Sequence, residues 1–299
     1  MKLMTGLLGF MIFSTSAKMP GFDIYLGNLA LKDQRLKVSH LKALTNTSAY
    51  DNQPFFLPDS DALLYTSALT KNKVEQTDSM LISLKSGQIS NLTNSSESEY
   101  SPTLMPSGNS FSVIRAVNDE QKLWRYPLYP DRPSTQPASE LLTHINPVGY
   151  HAWVDNNRVM LFVLGEPHTL QLADVQKQTS QVLDENIGPS LLAIPHSSLM
   201  SYTASVGVGE SIQWQLKSYH PDTDQIEQLT TLPKGAYYYA WSGNGFAIAA
   251  VNSVLMQWDK TNADKGWRSF ADVSDVCPKG VTRLTTNLLN SKIALVCTL

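Results

Sequence analysis

Six histidines, His40, His144, His151, His168, His196 and His220, are the residues of this chain best suited to metal binding or to proton transfer near neutral pH. None stands in a spacing that pairs two ligands, such as His-x-Glu or His-x-x-x-His. His144 and His151 are the nearest pair, seven residues apart. They could serve as base or metal ligand if a third group joined them; otherwise they are a rim histidine and a strand histidine. Gly207-Val208-Gly209-Glu210-Ser211 has the glycines of a phosphate loop, but it lies between two strand-like runs with no helix behind it to offer amides. No Gly-x-Ser-x-Gly elbow occurs either. Asp59-Ser60-Asp61 and Asp222-Thr223-Asp224 each offer two carboxylates, which fits a hairpin turn better than a calcium loop. The sequence implies no metal, no cofactor and no catalytic constellation.

Tyrosines are more regularly placed. Tyr50, Tyr100, Tyr150, Tyr237, Tyr238 and Tyr239 stand at the entry to apolar, strand-like runs, with Asp51, Glu99 and His151 beside three of them and His144 shortly before. A tyrosine gives rigid apolar area with a polar tip, so residues of this kind suit a binding rim. The alternative for each is packing in the core.

The elements that would position them come from a repeat. Short turns at Pro58-Asp59-Ser60-Asp61, Pro106-Ser107-Gly108-Asn109, Asp155-Asn156-Asn157, Pro195-His196-Ser197-Ser198, Ser242-Gly243-Asn244-Gly245 and Asn290-Ser291-Lys292 precede apolar runs at steps of 48, 49, 40, 47 and 48 residues. That period suits a β-propeller blade of four strands. The second unit is the clearest. An inner strand near Tyr100 leads through the turn at 106–109 to strands at 110–115 and 122–128, and then to a fourth at 140–143. A β-sandwich would not need so regular a spacing. Residues 23–29 and 41–45 look like third and fourth strands without a first pair, and 281–284 with 293–296 look like a first pair without partners. Joined, they make one blade, so the expected fold is an all-β, six-bladed propeller closed by its N-terminal strands, with no exposed sheet edge at the junction. In that ring the tyrosine-bearing entries gather around one mouth of the central channel.

The run Tyr-Ser-Pro-Thr-Leu-Met-Pro-Ser-Gly-Asn at 100–109 resembles the blade signature of TolB-like, WD-like β-propellers. Residues 52–59 form a second good copy, and 82–93 resemble the family's outer hairpin, which ends in Leu-Thr. Blades three, four and six have lost much of this signature and follow mainly from spacing. The resemblance implies a secreted disc. Family members bind envelope partners, and related propellers are accessory domains of peptidases or sugar-acid lyases, so the motifs do not choose among these.

Lys2, the apolar run at 7–13 and Thr15-Ser16-Ala17 have the form of a signal peptide over residues 1–17, which leaves residues 18–299 as one propeller domain. No later run is long enough to span a bilayer. A net charge of −3, with 42% hydrophobic and 16% charged residues, gives no electrostatic reason to expect nucleic acid and suits a sizeable core. The two cysteines, Cys277 and Cys297, are 20 residues apart in the last blade, and in an oxidising compartment they are expected to pair. The combined reading is a periplasmic or secreted, non-catalytic propeller that holds a protein or envelope partner at the channel mouth through Tyr50, Asp51, Glu99, Tyr100, His144, Tyr150, His151, Tyr237 and Tyr238. The alternatives are a sugar or sugar-acid lyase or hydrolase working in that mouth, and an accessory propeller of a separately encoded enzyme.

Overall fold

The computed structural model describes residues 19–299, apart from 59–60, 72–73, 119, 130–135 and 208. The expected leader at 1–17 and half of the turn at 58–61 lie outside the described residues. Within them the chain is nearly all β, folded into six four-stranded antiparallel sheets. Only two short 3-10 segments, Gly209–Ser211 and Lys260–Lys265, interrupt the strands. The architecture is a six-bladed β-propeller.

The inner strands, in blade order, are Asp51–Phe56, Ser98–Leu104, Val148–Trp153, Ile187–Ala193, Tyr239–Trp241 and Val281–Thr286. Burial falls from the axis outward because blades stack face to face, which covers both faces of an inner strand. Every residue of Val148–Trp153 is buried, whereas the outermost strands Thr179–Glu185 and Gln225–Thr231 are mostly exposed. The apolar core is correspondingly divided into six clusters, one between each pair of neighbouring blades.

Closure joins the two ends of the chain. Phe22–Lys32 pairs with Lys292–Thr298 from Phe22 opposite Thr298 to Asn28 opposite Lys292, and Arg35–Ala43 flanks it on the outside. That outer strand differs from the sequence expectation at 41–45. Asp33 and Gln34 both have positive φ, 52° and 59°, and make a two-residue hairpin turn that returns the chain at once. Thr45 then lies beyond the strand. Its hydroxyl donates to Asp23 and accepts from the Ile24 amide. In blade two the fourth strand is likewise shorter than expected, only Ser139–Glu140.

Two polar seams tie blades together near the axis. Ser112, on the second strand of blade two, accepts from Trp153 Nε1 at 2.8 Å and meets His151 Nε2 at 2.6 Å, both from the inner strand of blade three. Between blades four and five Ser201 repeats the device, accepting from Trp241 Nε1 and Tyr239 OH, each at 2.8 Å. His151 and Tyr239 are thus equivalent positions, two residues before the tryptophan. The hairpins that follow the inner strands lock together at the far mouth. His196 Nε2 lies 2.8 Å from the Gly243 carbonyl, and a Cβ at Gly243 would sit 2.2 Å from the Leu288 carbonyl, so only glycine fits there.

Candidate functional site

The entries to the inner strands converge on one side chain absent from the sequence reading, Arg283. It stands in the inner strand of blade six, opposite blade three across the ring. Its Nη2 donates to Tyr150 OH of blade three and to Tyr238 OH, 2.8 Å away, just before the inner strand of blade five. The guanidinium carbon lies 4.8 Å from the Tyr150 ring centre and 4.0 Å from that of Tyr238, within cation–π range of both. One arginine therefore crosses the channel and is held by phenols from two other blades. Tyr50, at the entry to blade one, faces the same charge.

Aromatic contacts extend the cluster outward. Tyr237 meets Tyr238 edge to face at 4.9 Å, and Trp214 meets Tyr237 in the same way at 5.0 Å. Trp214 belongs to a surface groove of about 360 Å³, floored by Ile212, Leu232, Pro233 and Ala236. Burial raises Tyr237 to about 12 and carries Tyr50 and Tyr238 further above the ordinary phenol value, so these three stay uncharged at physiological pH. For Arg283, burial opposes the charge while Tyr150, Tyr238 and Tyr50 favour it, and the net shift is upward. Among the described residues no carboxylate pairs with it, and its Nε and Nη1 donors have no partner. The cluster carries one positive charge and no counter-charge.

Of the nine residues singled out from the sequence, Tyr50, Tyr150, Tyr237 and Tyr238 gather around Arg283. Tyr100 lies within electrostatic reach of Tyr50 and packs on the cluster between blades two and three. The other four are placed elsewhere. His151 is 6% exposed in the seam with Ser112, and burial drives its imidazole down to about 3, so it is neutral. His144 is exposed in the connection before blade three. Asp51 and Glu99 are fully buried under hydroxyls in one repeated pattern. Thr47 Oγ1 donates to Asp51 and Ser95 Oγ to Glu99, each at 2.6 Å from four residues upstream. Ser67 donates to Asp51 and Tyr126 to Glu99. Arg115 Nε lies 3.5 Å from Glu99 Oε1 while Glu99 Oε2 is buried without a partner among the described residues, and burial raises both carboxyls above their usual range. These carboxyls fasten the connections into the inner strands rather than line the rim.

Arg283 was legible only as a lone charge within an apolar inner strand, Val281-Thr282-Arg283-Leu284. Trp214 carried no signal beyond its place in a strand. The remaining histidines pair locally: His40 with Asn28 and Ser39, His168 with the Gly165 amide, and His220 with the Asp222 amide. Among the described residues no three histidine, cysteine or acidic side chains gather closely enough to hold a metal. Cys277 and Cys297 are in disulfide contact, their Cα atoms 5.1 Å apart, where the connection from blade five meets the closing blade.

No family model and no curated protein matches the sequence. Solved structures do match. A protein assigned as TolB from Agrobacterium tumefaciens superposes with a TM-score of 0.70 at 12% identity, over 94% of this chain and 99% of that one. TolB from Acinetobacter baumannii gives 0.57 at 12% identity, over 94% of this chain and 65% of the other. An oligogalacturonate lyase in complex with manganese gives 0.58 at 14% identity, over 89% and 83%. The chain has the fold of a TolB-like β-propeller, a fold it shares with the lyase as well, at identities that show the fold alone.

Proposed function

We propose that the protein is a periplasmic or secreted propeller without chemistry of its own, which holds a protein or envelope partner at the tyrosine-lined channel mouth. The observation that carries this reading is the cluster of Arg283 with Tyr50, Tyr150, Tyr237 and Tyr238, in which four blades contribute to one aromatic patch. Buried aromatic and arginine anchors of this kind dominate protein interfaces. The signal-like N-terminus supports the compartment. No helix among the described residues is long and apolar enough to cross a membrane.

The lyase reading has one observation in its favour, since a lone cation in the channel also suits the carboxylate of a sugar acid. Of its expected bases or ligands, His151 is buried in the seam with Ser112 and His144 is exposed in the connection before blade three. Photocross-linking separates the readings. A benzophenone side chain in place of Tyr237 is expected to give a discrete protein adduct in the native envelope, and the same group in place of Ile226 on an outer strand is expected to give none. Adducts from Ile226 alone would move the interface to the rim, and turnover of oligogalacturonate by the purified protein would favour the lyase.

A further inference from the structure

A buried arginine without a counter-ion is costly, and proteins ordinarily pair or neutralise such a charge. Here the two Nη2 hydrogens are engaged by Tyr150 and Tyr238, which fix the plane of the guanidinium while adding no negative charge. The Nε and Nη1 donors have no protein partner among the described residues, and the side chain is only partly buried. Nε and Nη1 lie on different edges of the guanidinium, so each can offer a carboxylate oxygen one charge-assisted N–H bond.

What presents the carboxylate follows from the neighbouring surface. From Arg283 the aromatic contacts run through Tyr238 and Tyr237 to Trp214 and the groove beside it, where Ile212 is 47% exposed. Ser211, Gln213, Thr231 and Lys234 also line it, but Ile212, Trp214, Leu232, Pro233 and Ala236 form an apolar stretch on which an apolar side chain can seat. We infer that Arg283 and its tyrosines are a carboxylate receptor for an acidic peptide segment, whose aspartate, glutamate or C-terminus enters the channel while a nearby apolar residue seats against Trp214. The inference rests on the mouth being the binding surface and adds the chemistry of what binds.

A random peptide library, panned on the purified full chain, tests it with no ligand chosen in advance. Bound peptides are expected to be enriched about tenfold in Asp, Glu or a free C-terminus at one position, near an apolar residue, as one charge-assisted bond would produce. The enrichment should vanish with Arg283→Gln and shrink with Tyr238→Phe. Sodium benzoate should displace the selected peptides from the wild type where equimolar sodium chloride does not, an arm that stands even if a variant fails to fold. Enrichment without acidic preference, or acidic preference surviving Arg283→Gln in folded protein, would overturn the inference while leaving the Tyr237 cross-link and the mouth as interface intact. No enrichment, or binding of tetragalacturonate in preference to any peptide, would overturn it in favour of another ligand.

Discussion

Two buried polar clusters near the axis are built from similar parts and left in opposite states. In the seam between blades two and three, Ser112 joins Trp153 Nε1 and His151 Nε2, His151 Nδ1 is buried without a partner among the described residues, and burial keeps the imidazole neutral, so the cluster is uncharged. In the channel, Arg283 is gripped by Tyr150 and Tyr238 yet keeps its charge and its outward donors. The seam has the economy of a structural joint, repeated at Ser201, Tyr239 and Trp241. No equivalent of Arg283 appears at the corresponding positions of blades two and three, where Tyr100 and Tyr150 stand opposite Ile114 and Phe162 as Arg283 stands opposite Val296. What separates the two is charge: the seam buries a neutral ring, whereas the channel cluster holds a cation whose Nε and Nη1 have no partner among the described residues.

The seams depend on the ring being closed, so the largest effect should come from opening it. A chain starting at Asn46, without Phe22–Lys32 and Arg35–Ala43, should lose its cooperative thermal transition, since it exposes the edge of Lys292–Thr298 and strips the apolar cluster between blades six and one. Circular dichroism during melting reads this out; an undiminished transition would mean that closure contributes nothing. Next in size, Ser112→Ala leaves the buried Trp153 N–H without its acceptor and His151 Nε2 without its partner, and should cost about 2–4 kcal/mol by urea unfolding. Reducing Cys277–Cys297, which closes a 20-residue loop, should cost about 3 kcal/mol, provided mass spectrometry finds no free thiol in protein taken from its own compartment.

Acid should separate the clusters too. The unfolded chain protonates His151 near 6.5 and the folded one only near 3, so the contribution of this residue is complete above pH 6.5 and declines as pH falls through that window. The slope is at most about 1.4 kcal/mol per pH unit. Asp51 and Glu99, raised by burial, act with the opposite sign, since their cost is relieved on protonation. His151→Gln should therefore flatten the loss of stability between pH 7 and 5; an unchanged slope would place the titrating group elsewhere. Arg283→Met should give the smallest change, within about 1 kcal/mol, because it removes an uncompensated charge and keeps the volume.

The sequence conveyed periodic features well and singular ones poorly. Six blades and their closure followed from turns repeated every 40 to 49 residues, because each blade must bury the same faces against its neighbours. The outer strand of the closing blade was displaced because Asp33-Gln34 lacks the glycine that usually marks a two-residue turn. At the mouth, the four tyrosines were found from position alone. Asp51, Glu99 and His151 were assigned to the rim because residues adjacent along a strand point to opposite sides, and a linear reading cannot tell which side enters a seam. Arg283 escaped notice because its meaning lies in Tyr150, on the opposite blade and 133 residues away.

The contrast between joint and receptor is tested most directly by a paired measurement on Arg283→Gln and Ser112→Ala, each scored for melting temperature and for the yield of the Tyr237 photocross-link. Arg283→Gln is expected to melt close to the wild type and lose the adduct, while Ser112→Ala melts lower and keeps it at temperatures where it remains folded. An Arg283→Gln protein that melts far below the wild type, or that retains a full adduct yield, would contradict the assignment of the channel cluster to binding.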